Sequence, residues 1–166
     1  MQTHSIANAR TSTEVMVLGP GQGEDVWFTD NLLTIKARPA TGTQFGVIES
    51  TLPEGSHTPF HRHDHEDEAF YVLEGRMKIY VDGRAPIEVG PGCYVHTPRG
   101  AAHGFVTLTP VRMLVLCGVE GFVEMAREAG MPAPRHELPP AGPPDIARLE
   151  AACARNHITL LGPLPG

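Results

Sequence analysis

Short runs that alternate apolar and polar residues, separated by turn-forming residues, occupy the N-terminal part of the chain. The joints between them carry Gly, Pro, Asn and Asp, and a spacing of about ten residues between joints is typical of an all-β sandwich or barrel. We therefore predict an all-β fold built from many short strands. The runs are DVWFTD, LLTIKAR, TQFGVIESTL, EAFYVLEG, RMKIYVDG, APIEVGPG, CYVHTPRG, HGFVTLTP and VRMLVLCGV.

The pattern changes in the last part of the chain. FVEMAREAG predicts a short amphipathic helix that ends at Gly130, and the proline-rich MPAPRHELPPAGPP predicts an extended connector. Asp145 is a candidate N-cap for a second helix, IARLEAACARN, and HITLLG is a candidate strand. We therefore predict a loose N-terminal arm at residues 1–13, a barrel at 14–119, and a helical, proline-rich C-terminal extension at 120–166 that packs on the barrel.

Composition narrows the classes of partner. A chain of 166 residues with 41% hydrophobic residues is long enough for one domain with its own core. The net charge is −6 and no run of lysine and arginine occurs, so we expect no nucleic-acid partner. The longest nearly apolar run is too short to span a bilayer, so we expect no membrane partner. The three cysteines, Cys93, Cys117 and Cys153, are sparse and lack CxxC spacing, which favours reduced thiols in a cytoplasmic protein.

One polar cluster carries candidate metal ligands. In HTPFHRHDHEDEAFYVLEG, His61 and His63 are two residues apart, so a strand would place both imidazoles on one face, about 7 Å apart at the backbone. Glu68 has the opposite parity to His63, and the intervening DHED must therefore contain a turn or bulge. Glu68 then shares a face with Phe70 and Val72. A carboxylate beside an apolar face is costly unless a positive group binds it.

His103, after the turn TPRG, is a candidate fourth ligand. Three neutral imidazoles and one carboxylate suit Fe(II), Ni(II), Mn(II), Cu(II) or Zn(II). The alternative is that the histidines lie in a solvated turn. We expect His65, Glu66 and Asp67 to face solvent, although His65 has the parity of a substitute ligand. His96 lies on a short strand near the predicted site, and we interpret it as a surface or hydrogen-bonded residue.

Two spaced motifs resemble a known family. The first is G-x5-H-x-H-x4-E-x6-G, from Gly55 to Gly75, and the second is G-x5-P-x-G-x2-H-x3, from Gly92 to Thr107. This pair resembles the signature of the cupin superfamily, except that Thr107 stands where the family usually has Asn. The resemblance implies a double-stranded β-helix, that is, a jelly-roll barrel. It also implies a homodimer and one divalent transition metal per chain. The metal ligands that the resemblance implies are His61, His63, Glu68 and His103.

The sequence around these motifs resembles that of bacterial single-domain cupins described as quercetin 2,3-dioxygenase-like. That resemblance implies an enzyme that uses O2 to cleave a flavonol-like enol or phenol, with Glu68 as general base. The substrate would be a small molecule with aromatic character, held by an apolar wall of Phe70, Val72, Phe105 and Met113. The plain alternative is that these four residues are barrel core.

The sequence is compatible with two other functions. One is a metal-binding cupin with isomerase or decarboxylase chemistry, for which a phosphorylated substrate would need lysine or arginine in the pocket. The other is a non-enzymatic cupin that binds a small molecule without converting it.

Overall fold

The computed structural model of the protein describes residues 15–118 and 121–166. The predicted N-terminal arm, residues 1–13, lies outside the described residues, as does the predicted boundary of the barrel at 119–120. The division of the chain into three parts therefore stays a prediction. No helix in the described part of the chain is long and apolar enough to cross a bilayer.

Short strands dominate the described residues, as the alternating pattern predicts, and two α-helices follow them. The elements are β1 (Glu24–Phe28), β2 (Asn31–Ala37), a 3-10 turn (Pro39–Thr41), β3 (Gly46–Leu52), β4 (Phe60–His63), β5 (Glu68–Glu74), β6 (Met77–Val81), β7 (Ile87–Val89), β8 (Tyr94–Thr97), β9 (His103–Thr107), β10 (Val111–Cys117), α1 (Phe122–Ala129), β11 (Met131–Pro132), α2 (Ile146–Arg155) and β12 (Ile158–Gly162).

The strands form two sheets, one with the order β11-β1-β2-β3-β10-β5-β8 and the other with the order β12-β4-β9-β6-β7. All the pairings between these strands are antiparallel. Strands distant in sequence become neighbours, as when β10 lies between β3 and β5. The predicted all-β jelly-roll barrel is confirmed.

The hydrophobic core lies between the two sheets. Strand β3 alternates buried and half-buried residues, as a strand with one face on the core does. Ile48 and Val72 from the seven-stranded sheet and Met77 and Ile79 from the five-stranded sheet are almost completely buried in one cluster. This apolar interior surrounds the predicted polar ligands, so their burial is a consequence of the barrel.

The last part of the chain contacts both sheets. The proline-rich segment runs beside β1, where the indole N–H of Trp27 donates to the carbonyl oxygen of Glu137 at 2.7 Å. Asp145 accepts a hydrogen bond from the backbone N–H of Arg148 and so caps α2, as predicted. Strand β12 then pairs with β4, with Leu160 opposite His61. The C-terminal residues therefore lie against the strand that carries two of the candidate ligands.

Candidate metal centre

Four side chains from three strands meet inside the barrel. His61 and His63 lie on β4, and His103 on β9 is the register partner of His61. Glu68 is the first residue of β5, after the bend that the parity of the sequence requires. One ligand atom from each of these four residues lies within 4.8 Å of the others, and His63, Glu68 and His103 are buried.

Hydrogen bonds to the backbone orient two of the imidazoles. The Nδ1–H of His61 donates to the carbonyl oxygen of Pro59 at 2.8 Å, and that of His103 donates to Ala101 at 3.0 Å. These bonds leave Nε2 of each ring for the interior, where Nε2 of His103 lies 2.9 Å from Oε2 of Glu68. A ligand histidine usually donates its other N–H to a carbonyl or carboxylate in this way.

The third imidazole is held by Glu66, which the sequence predicts to face solvent. That prediction is wrong, because Glu66 is buried while its neighbours His65 and Asp67 are exposed. Its Oε1 lies 3.0 Å from Nδ1 of His63 and also accepts the backbone N–H of Phe122, the first residue of α1, at 2.6 Å.

The backbone after β10 makes room for this carboxylate. A Cβ on residue 118 would lie 2.8 Å from Cβ of Glu66, and a Cβ on residue 121 would overlap its Oε1. Gly118 and Gly121 therefore let the chain approach closely enough for Glu66 to reach both His63 and the start of α1.

The charges of the cluster are set by burial and by mutual contacts among its side chains. Burial alone would raise the pKa of Glu68, but His63, His103 and His61 outweigh it and lower the pKa to about 2. Burial, with the neighbouring His103, lowers the pKa of His61 to about 4. Burial also opposes the charged form of His63, yet Glu68 and Glu66 raise its pKa. At neutral pH the site therefore holds an anionic carboxylate and a neutral His61.

The donor set fits a divalent transition metal. Nε2 of His63 is buried and has no hydrogen-bond partner among the described residues, which is costly for a polar atom unless something else satisfies it. Three imidazoles and one carboxylate are ligands that Fe, Ni, Cu, Mn and Zn share. The four side chains could therefore hold one ion, as the sequence suggests.

A small apolar cavity of about 50 Å³ borders His61 and Glu68. Three of the four predicted pocket residues line it, namely Phe70, Phe105 and Met113. The fourth, Val72, does not line this cavity and is completely buried in the core.

Sequence reasoning missed two aromatic residues that also line this cavity, Phe28 at the end of β1 and Phe122 at the start of α1. Neither lies near the motifs in sequence, and only the fold brings them to the site. His96 stays outside the cluster, exposed and 3.6 Å from Asp67.

Comparison with known proteins decides the family. A family profile described as a cupin domain matches residues 48–117, which contain all four candidate ligands. The chain belongs to the cupin superfamily. The match begins in β3 and ends with β10, so the cupin profile covers the strands that build the site.

This cupin is similar to proteins with different activities. It is 33% identical over 125 residues to a quercetin 2,3-dioxygenase of Bacillus subtilis, a match that covers 74% of this chain and 37% of the relative. It is 36% identical over 66 residues to the dimethylsulfoniopropionate lyase DddQ of Ruegeria pomeroyi, covering 39% and 32% of the two chains. The chain thus spans about a third of the length of these two curated relatives.

A solved structure also resembles this cupin. The polyketide cyclase RemF from Streptomyces resistomycificus matches with a TM-score of 0.55 and 28% identity, over 64% of this chain and 81% of that one. Dioxygenase, lyase and cyclase are thus all named among its relatives, so family membership by itself does not select the reaction.

Proposed function

We propose that this cupin is a metal-dependent dioxygenase that cleaves a flavonol-like or other enol or phenol with O2. The observation that carries the proposal is the buried cluster of three imidazoles and one carboxylate beside an apolar cavity. Acidic oxygen atoms of a substrate would meet the cluster, and its apolar body would meet the cavity wall. The relative named quercetin 2,3-dioxygenase supports this choice.

His61, His63, Glu68 and His103 would hold one divalent ion of Fe, Ni, Mn, Cu or Zn per chain. Such an ion would polarise the oxygen atoms of an enol or phenol and make its O–H more acidic. Phe70, Phe105 and Met113 would contact the apolar part of the substrate and exclude water from the site.

Glu68 borders both the imidazoles and the cavity, so we propose it as the group that accepts the substrate proton. Its neighbours lower the pKa of Glu68, which makes it a weaker base than a free glutamate. The group that it can deprotonate most readily is therefore an acidic hydroxyl. This property favours an enol or phenol over an ordinary alcohol as the substrate.

A second candidate is oxygen-independent chemistry, such as a lyase or cyclase reaction, which is favoured by the relatives with those names. The described residues that line the cavity beside the cluster include no lysine or arginine that could bind a phosphate group. A phosphorylated substrate is therefore a poor fit to this site. A module that binds a small molecule without converting it is the remaining alternative.

Oxygen consumption by protein loaded separately with Fe(II), Ni(II), Mn(II) and Cu(II) tests the proposal. The substrates are quercetin and maltol, which share a hydroxy-ketone group but differ in size. His103→Ala removes a proposed ligand, and His96→Ala is the matched control for an exposed histidine. We expect uptake with at least one of the two substrates, and we expect this uptake to be lost in His103→Ala and kept in His96→Ala.

Absence of uptake from fully metallated protein with flavonols and related enols would contradict the dioxygenase. Substrate conversion in the same samples under anaerobic conditions would instead support the second candidate. Unchanged ligand recovered after tight binding in calorimetry would support the binding module.

We also propose that the protein is a homodimer, because pairing through barrel edges would cover strands that otherwise expose backbone groups. Small-angle scattering measures the mass in solution, and the mass of a single chain would contradict this proposal.

A further inference from the structure

A second small cavity, of about 60 Å³, lies next to the one at the cluster. Its outer wall comes from the last part of the chain, with Met125 of α1, Leu149 and Cys153 of α2, and Leu160 of β12. The inner cavity is instead lined by barrel residues such as Leu33 and Val115. The C-terminal elements therefore build an outer compartment over the site.

The two cavities share one wall. Five residues line both of them: Phe28, Asn31, Thr58, His61 and Phe122. The rings of Phe28 and Phe122 meet edge to face, with their centroids 6.5 Å apart and their planes at 87°. This aromatic pair has the largest side chains among the five residues that line both compartments.

Local structure holds both rings in place. Phe28 ends β1, and the next residue, Thr29, has a positive φ of 54°, a strained value for a residue with a branched Cβ. Phe122 begins α1, and its backbone N–H donates to Glu66 at 2.6 Å. Its ring centroid lies 6.0 Å from that of His63.

The size of the compartments limits what can reach the cluster. A cavity of about 150 Å³ holds one benzene molecule. At about 50 and 60 Å³ the two compartments together fall short of that volume, so even a single ring needs Phe28 or Phe122 to shift, and each further ring needs a larger displacement.

We propose that Phe28 and Phe122 are the residues that determine substrate size at this site. They limit the ligands that reach the metal position beside His61 and Glu68 to compact molecules of at most one ring. This proposal rests on the metal site of the proposed function and narrows its substrate class to small, single-ring or acyclic enols and phenols. A flavonol, which has three rings, would be excluded from the native site.

Imidazole and 4-phenylimidazole test the proposal without turnover, because both bind a metal through the same nitrogen and differ by one phenyl group. Each is titrated into Co(II)-loaded protein, and the visible bands of the metal report binding. Native protein is expected to bind imidazole at least about tenfold more tightly than 4-phenylimidazole, the scale at which a pocket discriminates by shape.

Phe122→Ala and Phe28→Ala should abolish this preference by tightening 4-phenylimidazole binding about tenfold or more, with little change for imidazole. Phe45→Ala is the matched control, because Phe45 is exposed and lines neither compartment. The leucine variants Phe122→Leu and Phe28→Leu, which preserve more core volume, should show a smaller shift in the same direction. Melting temperature and bound Co(II) confirm that each variant is folded and loaded.

Equal affinity of native protein for the two ligands would overturn the proposal, as would continued exclusion of 4-phenylimidazole by folded, loaded variants at both phenylalanines. The oxygen experiment fails independently of this one. Absence of oxygen uptake with intact size discrimination would reject the dioxygenase and keep the aromatic pair as the determinant of size.

Discussion

Glu66→Gln is the most informative single change at the candidate metal centre. Glutamine has nearly the shape of glutamate, so its side-chain oxygen can still accept from Nδ1 of His63 and from the backbone N–H of Phe122. The change removes the negative charge that faces the imidazole. It also puts an amide N–H₂ where Oε2 of Glu66 is buried without a hydrogen-bond partner among the described residues.

The loss in metal affinity follows from these contacts. A charge-assisted hydrogen bond is about twice as strong as a neutral one, so Nε2 of His63 becomes a weaker donor to the metal. Loss of such a partner typically lowers metal affinity about 10- to 100-fold, which corresponds to about 1.4 to 2.8 kcal/mol. We expect Glu66→Gln to fall in this range and to keep its fold.

Competition with a coloured chelator at pH 7, with Zn(II) and with Ni(II), measures the affinity directly. Glu54→Gln is the matched control, because it removes the same charge from an exposed side chain. An affinity of Glu66→Gln for both metals within a factor of about three of that of the native protein would contradict this reasoning. Such a change is well below the usual effect of losing a residue that hydrogen-bonds to a ligand histidine.

Three further predictions concern stability and metal binding. Thr107→Val should lower the free energy of unfolding in urea by about 1 to 3 kcal/mol, because its buried hydroxyl donates to the carbonyl oxygen of Pro53; an unchanged midpoint would refute this, and metal affinity should not change. Metal-free protein should lose stability as pH falls from 6.5 to about 4, because the unfolded state protonates His61 before the folded state does; thermal melts should show a weaker slope in His61→Gln, and an equal slope would contradict the assignment. Gly121→Ala should lower the free energy of unfolding by about 1 to 3 kcal/mol and also weaken metal binding, because Gly121 has a φ of 133° and a Cβ at this residue would overlap Glu66. A metal affinity equal to that of the native protein would contradict the predicted effect on the site.

Much of the candidate site could be predicted from strand geometry. The side-chain period of two places His61 and His63 on one face, and the parity of Glu68 requires the bend that the structure contains between β4 and β5. The same period predicts the burial of Phe70. These features depend on residues near one another in sequence, where the alternating pattern is informative.

Contacts between distant residues could not be predicted in this way. Nothing in the run DHED distinguishes Glu66 from its exposed neighbours, because its burial depends on α1, whose Phe122 lies 56 residues later. Two closely approaching glycines, Gly118 and Gly121, permit that contact, and their role becomes visible only once β10 and α1 are placed. Phe28 reaches the site for a similar reason, through the order of strands in the sheet.

Thr107, where the sequence departs from the usual pattern of the family, has a clear structural role. Its hydroxyl donates to the carbonyl oxygen of Pro53, and its backbone N–H donates to that of Ser56. The hydroxyl thereby anchors the loop that precedes β4. This loop leads to the strand of His61 and His63. A short polar side chain at residue 107 is therefore sufficient to anchor the loop.

The pairing of β12 with β4 has a consequence for the timing of biosynthesis. Strand β4 contacts β9 in register only at His61, whereas β12 lies opposite residues from Phe60 to His63. Asp64 and Thr159, which are hydrogen-bonded across this junction, are 95 residues apart. At about 5 to 20 residues per second, the ribosome makes β12 roughly 5 to 20 s after β4. Until β12 is made, the segment that contains His61 and His63 lacks its main neighbouring strand. We therefore expect metal loading to follow emergence of β12 from the ribosome.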